Sequence, residues 1–250
     1  MCRHLAYLGP PLPLAALLFD PPHGLVRQSY APKDMRGGGH VNADGFGVGW
    51  YPAGAEQGEQ PVRYRRGCPI WTDTNLSALA TATEAGAVLA AVRNATTGMP
   101  VMETAAAPFA DGPWLFSHNG AVTGWPDSLT GLAATLPTRD LLTLDAPTDA
   151  ALVWALVRNE LRRAADPAKS IVDVLHAVLD AAPGSRLNLL LTDGRTAVAT
   201  PWWHALSVRR TADATLISSE PLDDDPAWWA VPDRHLVVAT AGTVELTPLT

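Results

Sequence analysis

Apolar positions recur along this chain in two rhythms, and their order predicts a fold class. Residues 2–8 alternate loosely as a short strand, while Val88 to Val92 and Trp114-Leu115-Phe116 are continuous apolar runs that fit buried strands. Val62-Arg63-Tyr64-Arg65 has strand character after a polar loop at 53–61, and Leu25 to Pro32 reads as another short element. Pro10 to Gly24 reads as a loop around one helical turn. Helical periodicity appears at Ala150 to Ala164, preceded by Thr148-Asp149, and at Ser170 to Ala182, with Ser170 the expected cap. A shorter helix is predicted from Asp73 to roughly Ala82, with Thr72 or Asp73 as cap. Leu187 to Leu191, Asp193-Gly194 and Thr196 to Thr200 form a hairpin signature, and strands follow at about 204–209, 215–219, 235–239 and 243–247. Strands, then two helices, then strands, without regular β-α-β alternation, predict a layered α+β fold rather than a doubly wound sheet.

One stretch stands out, Asn42-Ala43-Asp44-Gly45-Phe46-Gly47-Val48-Gly49-Trp50-Tyr51. In a strand it puts Gly45, Gly47 and Gly49 on one face and Phe46, Val48 and Trp50 on the other. The bare face suits either a crowded neighbouring layer or the close approach of a ligand, and the two readings are compatible. Gly37-Gly38-Gly39-His40 reads as a flexible link; it lacks the Lys-Ser/Thr end of a phosphate loop.

Composition narrows the classes. The 250 residues are 47% hydrophobic, enough for a sizeable core, and neither a repeat nor an internal boundary appears, so one domain over residues 1–250 is expected. The net charge of -7 is dispersed and the densest cationic patch, Arg63-Tyr64-Arg65-Arg66, is short, which argues against nucleic acid as a partner. The apolar segment Leu14 to Phe19 is too short for a bilayer and is flanked by prolines, so neither membrane nor export is expected. Cys2 and Cys68 make no disulfide framework and suit a reducing, cytoplasmic setting, with Cys68 a small buried residue. The scattered histidines have no ligand spacing and no nucleotide fingerprint appears, so neither metal nor cofactor is expected.

The candidate chemistry begins at Cys2. Removal of Met1 would place a thiol beside its own α-amine, nucleophile and base on one residue. Two further polar clusters end apolar runs: Arg93-Asn94-Ala95-Thr96 and Ser117-His118-Asn119-Gly120. Asn119 offers a side-chain NH2 and Gly120 a backbone N–H, the donors an oxyanion needs. Arg93 suits a carboxylate and Asp149 an ammonium, which together describe the α-end of a glutamyl group. Each has a plainer reading. Asn119-Gly120 is a common turn dipeptide, Arg93 suits a structural ion pair, and Asp149 suits a helix cap. His118 fits a core histidine or the base of a Cys-His pair. Trp202-Trp203 and Trp228-Trp229 fit packing or the binding of sugars or cations.

In order, these pieces resemble the class II glutamine amidotransferases, a branch of the N-terminal nucleophile hydrolases. That pattern has an N-terminal Cys (Cys2), N-x-D-G-x-G-x-G (Asn42 to Gly49), R-x-A/S-T-x-G (Arg93 to Gly98), H-N-G (His118 to Gly120) and an Asp before a helix (Asp149); Ser219-Glu220-Pro221 is similar too. The resemblance implies a four-layer αββα sandwich of antiparallel sheets and cofactor-free hydrolysis. It implies Cys2 as nucleophile with its α-amine as base, and Asn119 and Gly120 as oxyanion donors. Arg93 with Thr96 would bind the substrate α-carboxylate. Asp149 with the Gly120 carbonyl would bind the α-ammonium, beside His118. Some members carry His where this chain has Thr97, a neutral donor. Met1 to Leu5, Leu25 to Ser29 and Asn42 to Tyr51 are most similar to the γ-glutamyl amidohydrolases of ergothioneine biosynthesis, which implies γ-glutamyl-hercynylcysteine S-oxide as small-molecule substrate. About 100 residues follow Asp149, too few for a synthetase domain. The competing readings are a glutaminase subunit feeding ammonia to a separate synthetase, and an inactive binding module on the same fold.

Overall fold

The computed structural model describes residues 2–36, 41–163 and 166–249, so Met1 and the Gly37–His40 link lie outside the described residues. The strands are β1 (Arg3–Pro13), β2 (Phe46–Pro52), β3 (Val62–Arg66), β4 (Glu84–Val92), β5 (Phe109–Asp111), β6 (Trp114–Ala121), β7 (Arg186–Thr192), β8 (Ala197–Thr200), β9 (Ser207–Arg210), β10 (Thr215–Ser218), β11 (Trp228–Ala230), β12 (His235–Ala239) and β13 (Val244–Pro248). The helices are α1 (Ala15–Leu18), α2 (Leu25–Tyr30), α3 (Leu76–Ala82), α4 (Thr130–Ala133), α5 (Thr138–Leu142), α6 (Asp149–Arg163) and α7 (Pro167–Ala181).

Two antiparallel sheets result, ordered β11-β9-β10-β1-β4-β2-β3 and β13-β12-β8-β7-β6-β5. The period-2 pattern of β1 sorts its side chains between two cores. Leu5 and Tyr7 pack with Leu14, Leu18 and Leu25 of the short helices, while Ala6 and Leu8 pack with Leu115, Leu190 and Val237 of the second sheet. A third core joins Phe116, Leu189 and Val198 to Trp154, Val157 and Leu175 of α6 and α7. Trp154 stacks on Phe116 with ring centroids 5.2 Å apart. The layers are therefore helix, sheet, sheet, helix, the αββα arrangement. Each large apolar side chain fully buried in these layers stabilises the fold by roughly 1.5–3 kcal/mol.

The glycine face of β2 meets the crowded layer. A Cβ at Gly47 would lie 2.4 Å from the Ala107 carbonyl oxygen, and one at Gly49 would lie 2.7 Å from a Leu115 methyl. Phe46 and Val48 face the opposite core, as the alternation requires.

Several local expectations shift. β1 continues to Pro13 because its pairing with β4 resumes at Leu12 after a register shift, which accommodates the prolines. α3 begins at Leu76; Asp73 instead accepts from the Asn75 and Leu76 amides at 3.0 and 3.1 Å. α7 starts at Pro167, capped by Asp166, whose carboxylate accepts from the Ala168 amide at 2.9 Å; Ser170 lies inside the helix and donates to the Asp166 carbonyl. The Asp-Pro pair outcompetes Ser170 because proline suits the first helical position. Ser117 to Gly120 do not follow the apolar run as a turn but continue β6, with Asn119 opposite Asn188 and Gly120 opposite Leu187. Among the described residues, no helix is long and apolar enough to cross a membrane.

Candidate active site

The start of β1 is fixed by a buried carboxylate. Glu220 accepts from Arg3 Nε at 3.0 Å, from His23 Nε2 at 2.5 Å, and from the Lys33 and Asp34 amides at 2.9 and 3.0 Å. Burial by itself would raise its pKa, but His23, the two amides and Arg3 together hold it below the usual carboxylate range. Arg3 also donates to the Cys2 carbonyl at 3.0 Å and to the Asp34 carbonyl. One residue further on, the His4 amide donates to Ser219 Oγ at 3.0 Å, and the Ser219 amide donates back to the His4 carbonyl at 2.9 Å. The backbone of Cys2 is therefore held by buried groups from residues 219–220, which the sequence brings forward only as a familiar Ser-Glu-Pro.

The Cys2 thiol is half-buried and donates to the Asn94 carbonyl at 3.7 Å. His118 lines the same pocket, with Nε2 of its ring 3.0 Å from the Arg186 carbonyl. His4 is fully enclosed, with Nδ1 3.1 Å from Ser117 Oγ. Burial first, then His118, His204 and Arg3, push its pKa down to about 3, so this ring, two residues along from Cys2, is neutral.

The Asn42 to Gly45 segment positions the Arg93 loop. Asp44 N–H donates to the Arg93 carbonyl at 2.9 Å, Arg93 N–H to the Gly45 carbonyl at 2.7 Å, and Ala95 N–H to the Asp44 carboxylate at 2.8 Å. Arg93 itself donates to the Pro100 carbonyl at 2.8 Å and makes no ion pair among the described residues, which leaves guanidinium donors available.

Gly120 lies on an open strand edge. Leu187 turns its N–H to the Trp202 carbonyl on the β8 side, so its partner Gly120 forms a non-hydrogen-bonded pair and directs its own N–H and C=O to the opposite edge. On that edge β5 pairs with β6 only from Trp114 to Phe116. No side chain other than glycine fits, since a Cβ would lie 1.8 Å from the Arg186 carbonyl. Two residues along the same edge, Val122 N–H donates to Asp149 Oδ2 at 2.9 Å. Asp149 is the first residue of α6, and Thr148 Oγ1 takes the capping bond from the Ala151 amide at 3.2 Å. The helix cap is thus Thr148, and Asp149 brings its buried carboxylate to the open edge. Asn119 is buried, its NH2 engaged only at 3.5 Å by Ser219 Oγ.

These elements line one pocket, whose walls include Cys2, Arg93, Thr96, His118, Gly120 and Asp149. Asn119 adjoins it without lining it. Thr97 borders a neighbouring recess that also reaches Thr96, Trp125 and Asp149. The combination is a thiol, an open backbone N–H, a guanidinium with unused donors and a buried carboxylate, a set suited to acyl transfer from an α-amino acid amide.

Residues 14–212 match the family described as class-II glutamine amidotransferases, and the chain belongs to that family. It is 41% identical over 249 residues to a γ-glutamyl-hercynylcysteine sulfoxide hydrolase of Mycolicibacterium smegmatis, covering 100% of both chains. It is 40% identical to the protein of that name from Mycobacterium tuberculosis, covering 100% of this chain and 97% of the other. Among solved structures it is similar to a glutamine aminotransferase class-II domain protein from Silicibacter pomeroyi, with TM-score 0.68, 22% identity and full coverage of both chains, a likeness of fold.

Proposed function

We propose that this chain, acting as one domain over residues 1–250, hydrolyses the γ-glutamyl amide of γ-glutamyl-hercynylcysteine S-oxide to glutamate and hercynylcysteine S-oxide. The observation that carries the reading is the shared pocket of Cys2, Gly120, Arg93 and Asp149. The relatives of 40–41% identity over the whole chain support the choice of substrate. Cys2 and Cys68 are both free thiols, which suits a reducing cytoplasm.

In this reading the mature chain starts at Cys2. Its α-amine takes the thiol proton, and Sγ attacks the γ-carbonyl carbon. Asn119 Nδ2 and the Gly120 N–H donate to the oxyanion. The amine returns its proton to the leaving nitrogen as the C–N bond breaks, leaving a thioester on Cys2. Water, deprotonated by the same amine, then releases glutamate and restores the thiol. Arg93 and Thr96 bind the α-carboxylate, while Asp149 and the Gly120 carbonyl bind the α-ammonium, with His118 fixed beside them.

Intact mass after treatment with the glutamine-like alkylator 6-diazo-5-oxo-norleucine tests the nucleophile. The expected result is a protein lacking Met1 that gains one adduct, with no adduct in Cys2→Ala. That variant should lose activity by on the order of 10⁴–10⁶-fold. Retention of Met1 without an adduct would leave no base and return the inactive binding module. Turnover of the sulfoxide should far exceed that of glutamine; a preference for glutamine would return the ammonia-supplying subunit.

A further inference from the structure

Trp203 combines two features that packing does not explain. Its backbone φ is +92°, in the left-handed region that a bulky side chain rarely adopts, yet its indole is 55% exposed. Two hydrogen bonds hold it there: its N–H donates to Asp233 Oδ1 at 2.8 Å, and its carbonyl accepts from Arg36 Nη1 at 3.3 Å. Backbone strain that the surroundings impose on an exposed side chain is a sign of function.

Two chains of contacts tie the backbone at Trp202-Trp203 to the proposed reacting centre. Arg36 is bound to the Asp34 carboxylate, and Arg3 donates to both the Asp34 and the Cys2 carbonyls. On the other side, Trp202 receives Leu187, which stands opposite Gly120. Trp203 follows β8, in the sheet that carries Gly120 on β6.

The other exposed or paired tryptophans are spoken for or misplaced; Trp71 meets Tyr30 edge-on with ring centroids 5.7 Å apart. Arg234 covers Trp202 and Arg209 covers Trp228, each 5.2 Å from the ring centroid. Trp229 sits on β11, three strands from β1 and roughly 14 Å across the sheet. Trp125 borders the recess at the Asp149 end.

We infer that Trp203 is the aromatic platform for the trimethylammonium end of the leaving group, an inference that rests on the function proposed above. A quaternary ammonium is attracted to an indole face through the ring quadrupole and needs no charged partner there. The strained backbone turns the indole outward, where a ligand rather than the core can cover it.

The test compares kcat/KM for γ-glutamyl-hercynylcysteine S-oxide with that for the same compound carrying a neutral tert-butyl in place of the trimethylammonium. Wild type should favour the charged compound. Trp203→Gly and Trp203→Leu should cut that preference by about 3- to 30-fold, with the loss in KM, and Trp203→Phe should retain part of it. Glycine adopts φ +92° without strain, so the melting temperature of Trp203→Gly should equal or exceed that of wild type, which separates binding from folding. Full preference retained in the Gly and Leu variants would overturn the platform while leaving the proposed reaction standing. A wild type that turns over glutamine better than the sulfoxide would overturn the reaction, and the platform with it.

Discussion

Arg3 and Arg93 stand at the same end of adjoining strands, Arg3 directly opposite Val92, yet they are built into opposite surroundings. Arg3 is buried and its donors go to Glu220 and to the Cys2 and Asp34 carbonyls. Arg93 is half-buried on a loop, donates to Pro100, and faces the pocket without an ion pair among the described residues. The same side chain serves as a structural clamp where its donors are spent, and keeps donors for a ligand where they are free. The Cys2 wall of the pocket is thus pre-organised by burial, and the Arg93 wall keeps unspent hydrogen-bonding capacity, which the proposed binding of a transient substrate requires.

The largest test of this contrast is Glu220→Ala. It strands Arg3 as an unpaired buried cation and should cost about 3–5 kcal/mol in urea unfolding. A loss under 1 kcal/mol would mean that the clamp is not buried in solution. Asn119→Ala acts on the site instead. It should lower kcat by roughly 10²–10³-fold. The unfolding midpoint should barely move, because the Asn119 NH2 has only a 3.5 Å contact to lose. A large drop in stability with normal kcat would reverse that assignment.

Acid should weaken the fold through its buried histidines. His4 and His204 titrate at about 3 in the fold, chiefly through burial, against 6.5 for a free histidine. Between those values the unfolded chain binds more protons, so stability is complete above pH 6.5 and falls as pH drops, by up to about 1.4 kcal/mol per pH unit for each ring. Glu220, with its pKa held below the free value of 4.5, adds a loss only as pH falls from there toward its depressed value. Urea midpoints at pH 7 and pH 5 measure the slope, and His204→Leu should flatten it; an unchanged slope would mean that His204 is not titrating there. The smallest expected effect is Arg93→Lys, which keeps the charge and loses the fork. It should raise KM about tenfold at nearly constant kcat and melting temperature. A loss of stability instead would make Arg93 a second clamp.

Much of this was legible in the sequence because it depends on neighbours along the chain. The faces of β2 follow from alternation at Phe46, Val48 and Trp50, and the β7–β8 hairpin follows from Asp193-Gly194, whose glycine takes φ +88°. The pocket members Cys2, Arg93, Thr96, His118, Gly120 and Asp149 were readable as residue types suited to one reaction, and the family resemblance tied them together. Other features were not local. Asn119-Gly120 has the composition of a turn, but ladder pairing with Asn188 and Leu187 outweighs a dipeptide's preference.

By itself, then, the sequence determined the strand and helix rhythm, the layered class and the chemical types available for catalysis, since each depends on side-chain period and functional groups. Tertiary structure decided which of those groups are spent and which are free. Arg3 meets Glu220 across 217 positions, the open edge at Gly120 exists because β5 stops pairing at Phe116, and Trp203 faces outward because Asp233 and Arg36 hold its backbone. Those outcomes depend on contacts between distant segments, and no local preference encodes them.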